Sequence, residues 1–281
     1  MDNTSKETTK TTPSFPTEIV TLPSNGFFYP EDNPLSSGKV EIKYMTAREE
    51  DILTSRNLIT KGIVLDKLLE ALVVGNGEGK KINLDDLILG DKNAIMVAAR
   101  ILGYGKDYQF TYNGEEQSVD LSKLEAVDVD FSKFTDSVDL NNLSTKNVDF
   151  SDYTKGINKF SFQLPVSKKN IEFKLLTHKD EKEIEAELKG LQKFSKASGI
   201  TSEITTRLKR AITSIDGDTD KTNIHKFVTS EFLAQDARAF REYMGSVTPD
   251  VDMNYTFTNP DDGSEKEVSV PMTVDFFWPK S

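Results

Sequence analysis

One stretch of this chain is written twice. Residues Val40 to Asp51 and Ile171 to Lys182 align without a gap, and Glu41, Lys43, Thr46 and Glu50 meet the same residue types at Glu172, Lys174, Thr177 and Glu181. Between them Val40, Ile42, Tyr44, Met45, Arg48 and Glu49 face the conservative partners Ile171, Phe173, Leu175, Leu176, Lys179 and Asp180. Each copy alternates apolar and charged residues with period two, as a half-buried strand does. Each then meets a threonine with an acid three residues on. In such a capping box the hydroxyl takes one of the unpaired N–H groups of a helix start, and the acid reaches back to the cap. Both copies therefore read as a strand running straight into a helix. A long-period repeat of this kind governs the reading of every shorter motif.

The repeat extends outward. Leu22-Pro23 precedes the first copy and Leu164-Pro165 the second. A helix beginning near Asp91, with Ile95, Ala98, Ala99 and Leu102 on one face, leads into Tyr108-Gln-Phe-Thr, the turn Asn113-Gly114 and Val119-Asp-Leu. A helix around Asp236, with Ala237, Phe240, Tyr243 and Met244 on one face, leads into Tyr255-Thr-Phe-Thr and Val268-Ser-Val. Asn-Gly between alternating segments is a strong hairpin signal. Val64, Leu65, Leu68, Leu69, Leu72 and Val73 recur at helical spacing, and two more helical patterns cover about 180–197 and 202–215.

The expected fold class is α+β: two related lobes, each a small antiparallel sheet of hairpins packed with several helices. The expected organisation is a flexible polar tail over 1–17, an N-terminal lobe over 18–125, a polar connector over 126–158 and a C-terminal lobe over 159–281. The connector carries an echo, Val129-Asp-Phe-Ser-Lys-Phe134 and Val148-Asp-Phe-Ser-Asp-Tyr153, which is either a duplicated short strand or chance in a biased composition.

Composition narrows the chemistry. Among 281 residues there is no cysteine, so thiolate metal sites, disulfides and cysteine nucleophiles are ruled out. The 35 Lys and Arg against 46 Asp and Glu leave a net charge of −11, which argues against binding duplex nucleic acid through clustered cations. No apolar run reaches the roughly 20 residues of a membrane span, and the polar start is not expected to act as a secretory signal.

The candidate sites are weak. Gly75-Asn-Gly-Glu-Gly79-Lys80-Lys81 lacks both the spacing and the Ser or Thr of a phosphate loop, so a glycine loop is the better account. Asp216, Asp218 and Asp220 open like a calcium loop, but Lys221 and Phe227 stand where glycine and glutamate are needed. His178 and His225 are the only histidines and make no zinc set. No Gly-x-Ser-x-Gly elbow occurs. Glu49-Glu50 complements a helix dipole. No catalytic residue, metal or cofactor is expected. Two aromatic clusters, Phe27-Phe28-Tyr29 and Phe276-Phe277-Trp278, are candidate partner contacts: three consecutive aromatics cannot share one strand face. They either pack on a neighbouring element or anchor in a partner.

The order Leu22-Pro-Ser-x-Gly26-x-x-Tyr29-Pro30, then Lys39 to Leu53, then Val64-Leu-Asp-Lys-Leu-Leu, resembles the hub assembly protein family of T4-type contractile bacteriophage baseplates. Phe173-Lys-Leu-Leu-Thr-His-Lys-Asp-Glu181 and Phe276-Phe-Trp-Pro279 are similar to that family too. The likeness covers most of 18–281 outside the connector, and its specificity lies in motif order. It implies a non-enzymatic component or assembly factor of the baseplate hub in the virion tail, handled in the host cytoplasm during assembly. Its implied partners are baseplate hub proteins and the tape-measure protein, with neither nucleic acid nor membrane. Some relatives carry cysteine pairs at the hairpin tips as metal-binding ribbons. The tips here, Asn113 to Glu116 and Asn259 to Gly263, have none, so no metal is expected. The alternatives are a generic intracellular adaptor with the same two lobes, or an acid/base enzyme using carboxylates.

Overall fold

The alternating segments form strands as expected, and each finds its partner in its own half. The computed structural model describes residues 16–112, 115–121, 153–194, 202–258 and 263–277. The first half builds an antiparallel sheet in the order β1 (Thr17–Thr21), β2 (Lys39–Lys43), β3 (Val73–Gly75). Helices α1 (Ala47–Leu53), α2 (Arg56–Lys61) and α3 (Val64–Leu72) lie between β2 and β3. Helix α4 (Leu89–Tyr104) follows, then the hairpin β4 (Asp107–Tyr112) and β5 (Glu115–Asp120). The second half repeats the plan. The strands β6 (Phe160–Gln163), β7 (Asn170–Phe173) and β8 (Ile212–Ile215) form its sheet in that order, with α5 (His178–Phe194) and α6 (Glu203–Ala211) between β7 and β8. The short α7 (Lys221–Lys226), the helix α8 (Ala234–Val247) and the hairpin β9 (Asn254–Thr258), β10 (Glu265–Ser269) complete it. The chain is α+β, with two related lobes.

The duplication reaches details of register. In each sheet the pairing slips at one step, between Glu41 and Ile42 in the first and between the aligned Glu172 and Phe173 in the second. In each, a helix passes into the third strand with no turn: Val73 and Ile212 cap α3 and α6 in extended conformation, their N–H groups bonded to Leu69 and Leu208. In the hairpins Tyr108 pairs with Val119, and Tyr255 with Val268. The hairpin between the first two strands is closed by Leu22 N–H donating to Gly38 and by Leu164 N–H donating to Lys169. Only the connection differs in length. In the longer first loop Gly26 sits at φ +73°, and a Cβ there would meet the Ser36 carbonyl at 2.4 Å, so no other residue fits without moving backbone.

The third strands correct the sequence reading, which carried one helix to about 215, counted Val73 on the face of another and began a glycine loop at Gly75. The structure ends α6 at Ala211 and makes Ile212–Ile215 a strand. Apolar residues continue through both junctions, and only pairing with the middle strand decides for extension.

One hydrophobic core runs through both halves. Phe160 stacks on Phe173 with ring centroids 5.2 Å apart, and Phe240 of α8 meets Phe173 edge-on at 5.0 Å. Each fully buried phenylalanine contributes roughly 1.5–3 kcal/mol of transfer free energy. A 3-10 turn at Val274–Phe277 carries the second half back to the first, where Phe276 lies 4.9 Å from the Tyr108 ring. Of the tail expected over 1–17, residues 1–15 lie outside the described residues and Thr17 already belongs to β1; the connector echo up to residue 152 lies outside them too. Of the connector, Tyr153 packs on Phe160, and Gly156 N–H donates to the Phe27 carbonyl.

Candidate interaction surface

The capped strand-to-helix junctions hold as the sequence requires. Glu49 is 1% exposed, yet its carboxylate accepts from the Thr46 N–H at 2.9 Å, the Thr46 hydroxyl at 2.6 Å and the Lys43 ammonium at 2.7 Å. Burial alone would raise its pKa; the bonds from Lys43 and Thr46 outweigh it and hold the group below its ordinary value. In the second half Asp180 takes the same bonds from the Thr177 N–H, the Thr177 hydroxyl and Lys174. A Glu and an Asp thus close equivalent junctions, each neutralised by the lysine three residues before its threonine.

A second duplicated device was not visible as such. Asp91 was expected at a helix start, but it does not cap α4; the cap is Ile88. Asp91 stands at the third helical position, fully buried, and reaches across to the Leu-Pro turn. Its oxygens accept from Ser24 N–H at 2.9 Å, Ser24 Oγ at 2.6 Å and the Tyr29 hydroxyl. That hydroxyl in turn accepts from Ile88 N–H at 2.9 Å. Burial dominates and pushes the Asp91 pKa up to about 6, against the lowering by Ser24 and Tyr29. Asp236, third residue of α8, accepts from Val166 N–H at 2.7 Å and Ser167 N–H at 3.0 Å, in the turn after Leu164-Pro165.

The two halves meet along a short main-chain ladder. Ile88 bridges antiparallel to Thr177, Leu89 N–H donates to the Leu176 carbonyl at 3.0 Å, and His178 N–H donates to the Leu87 carbonyl at 2.7 Å. The three-residue edge before α4 is therefore received by the strand-to-helix junction of the other half. Beside it the His178 ring, 2% exposed, lies with Nδ1 2.9 Å from Lys92 Nζ and Nε2 3.5 Å from Asp66. Lys92 also pairs with Asp66 at 3.2 Å. Donation from Lys92 requires an unprotonated Nδ1, which assigns the ring proton to Nε2. Burial first, then Lys92, push the His178 pKa down to about 4. Lys182 and Asp85 add an ion pair at 2.7 Å.

The aromatic clusters need correcting as partner contacts. Phe28, Tyr29, Phe276 and Phe277 are buried in the core, because the loops that carry them fold back over it, and Phe27 packs partly buried against the same core. Trp278 lies outside the described residues. The three aspartates are structural: Asp216 accepts from Asn170 N–H, Asp218 from Asp220 N–H and Asn223, and Asp220 caps α7. Asn76 closes the glycine loop by accepting from the Glu78 and Lys80 N–H groups. Among the described residues no group of three His, Asp or Glu is placed to hold a metal ion. No helix among them is long and apolar enough to cross a membrane.

A recess of about 330 Å³ is lined by Lys174, Asp180, Lys209, Arg210, Lys221 and His225, with others. Most of its cations are matched: Lys174 with Asp180, Lys209 with Glu187 at 4.0 Å and Arg210 with Glu183 at 2.6 Å. A second, of about 300 Å³, lies on the seam between the halves beside Leu89, Lys92 and Arg207. Asp91 lines neither. The surface instead offers apolar side chains, among them Val166 at 45% exposure, in the turn that Asp236 ties to α8, and Leu233 at 48%, the cap of that helix. Compared with protein-family models, curated proteins and solved structures, the chain finds no match.

Proposed function

We propose that this protein works by docking: it is a component or assembly factor of a contractile phage tail's baseplate hub, and it transforms no substrate. The motif order that resembles the hub assembly family carries the assignment to a tail. The geometry that supports a binding role is the use made of its reactive side chains. Asp91, Glu49 and His178, three of the groups that burial and neighbours perturb, are each bonded into the frame, and Asp91 lines neither recess. General acid/base work needs the carboxylate within hydrogen-bond reach of a substrate proton, and Asp91, 0% exposed and held by three internal donors, offers no open approach. The acidic surface favours basic or apolar partners, which hub proteins and a tape-measure chain can supply.

The test is reconstitution. Purified protein mixed with hub proteins and the tape-measure protein should co-elute with at least one of them, and mass spectrometry of purified tails then separates a retained subunit from a departing factor. Absence of co-elution with all of them overturns the hub assignment. Turnover of a small-molecule substrate that survives purification, and is lost in an Asp91→Asn variant, would favour the acid/base alternative.

A further inference from the structure

The ladder between the halves uses one edge and one receptor, and the duplication supplies a second set of each. The edge is Leu87–Leu89 before α4, and its equivalent before α8 is Phe232–Ala234. The caps match in backbone angle: Ile88 has φ −63° and ψ 144°, Leu233 has φ −62° and ψ 140°. The third helical residue is a buried aspartate tied to a Leu-Pro turn in both. The receptor is Leu176–His178, and its aligned equivalent is Met45–Ala47.

The two sets differ in cover. Ile88 is 2% exposed, against 48% for Leu233. His178 is buried and Ala47 exposed. Among the described residues no hydrogen bond reaches the Ala234 N–H, the Phe232 carbonyl, the Met45 carbonyl or the Ala47 N–H, the four groups equivalent to those that join the halves.

We infer that the free edge at Phe232–Ala234 docks onto the free receptor at Met45–Ala47 of a second copy of this chain, head to tail. The contact continues the geometry of the ladder already formed inside each molecule. Edge and receptor are different segments of the chain, so the interface is heterologous and adds copies head to tail. Leu233 puts an exposed apolar side chain on the edge, with exposed Val166 in the turn bonded to Asp236 three residues on, and Met45 and Tyr44, both partly exposed, offer apolar surface at the receptor. The ion pair Asp85–Lys182 is replaced at the equivalent positions by Ser230 and Asp51, a hydroxyl opposite a carboxylate, which attract without a full charge pair. Within one chain the ladder also has the effective concentration of a tether, so the contact between copies is weaker and depends on concentration. The inference rests on the ladder and the repeat alone, and loss of the hub assignment would leave it standing.

The absence of native cysteine makes cross-linking clean. Ile88 and Thr177 are antiparallel bridge partners, a spacing of about 4.5–5.5 Å between Cα atoms that a disulfide spans. Full-length Leu233→Cys and Thr46→Cys variants, mixed under mild oxidation, should therefore give a disulfide-linked dimer between the two variants. Ile157→Cys mixed with Thr46→Cys should give none above background; Ile157 is equally exposed but lies elsewhere. In sedimentation velocity the wild type should form larger species as concentration rises, and Leu233→Asp should move that onset at least about tenfold higher, the equivalent of 1.4 kcal/mol. A wild type that stays monomeric at every concentration reached, with no specific cross-link, overturns the inference. So does a dimer that forms from Leu233→Cys alone, which would be edge to edge.

Discussion

Asp91 and Asp236 stand at the same position of two equivalent helices and tie down the same turn, but with different atoms. Asp91 holds one backbone N–H and two hydroxyls in the sealed interior. Asp236, equally buried, holds two backbone N–H groups, those of Val166 and Ser167, which belong to a partly exposed turn. Truncation should separate them. Asp91→Ala strands three buried donors and should cost about 3 kcal/mol or more, at 1–3 kcal/mol for each unsatisfied group. Asp236→Ala strands two N–H groups of a turn whose Val166 is 45% exposed, and should cost less, about 1–2 kcal/mol. Urea unfolding of the two variants at pH 7 measures the difference.

Protonation of Asp91 favours the fold. Its folded pKa, about 6, lies above the ordinary value of 3.8. The stabilisation is therefore complete below about pH 4 and is lost as pH rises through 6. Relative to Asp91→Asn, the wild type should lose up to about 3 kcal/mol between pH 4 and pH 7, at 1.36 kcal/mol per unit. Parallel denaturant titrations across that range give the difference curve.

His178 acts in the opposite sense. Its folded pKa of about 4 lies below the ordinary 6.5, so the unfolded chain takes up the proton first. Its contribution is complete above pH 6.5 and falls away towards pH 4, by up to about 3 kcal/mol. His178→Gln should flatten the acid side of the stability curve. A nuclear magnetic resonance titration of the ring should show no protonation at pH 5.5.

Removing the buried C-terminal aromatic should weaken the opposite half. Phe276→Ala leaves a cavity against Tyr108 and should cost about 3–5 kcal/mol. Amide exchange should quicken first in α4 and β4, which belong to the first half. Faster exchange confined to β9 and β10 would contradict the packing described.

The duplicated strand, threonine and acid were legible because capping chemistry is local: Thr46 and Glu49 find one another within a single helical turn. The third strands were not, since Val73 and Ile212 follow a helix without a breaker and are extended only through pairing with residues some 30–40 positions earlier. The partners of Asp91 were hidden for the same reason, as Ser24 lies 67 residues away. The aromatic clusters misled because consecutive aromatics in a loop can all be buried when the loop itself folds over the core, as Phe28 and Tyr29 are. The edge before α4 carries no residue signature at all; it is made of backbone N–H and carbonyl groups, and Leu87, Ile88 and Leu89 read as ordinary apolar residues.

The contact of Phe276 with Tyr108 sets an order of events during synthesis. The two rings are 168 positions apart, an interval of roughly 10–30 s at 5–20 residues per second on the ribosome. Through that interval the N-terminal lobe waits with an unfilled slot beside Tyr108, its apolar lining open to holdase chaperones or to stray neighbours. The nascent chain thus emerges as a module that only its own distant downstream turn can finish.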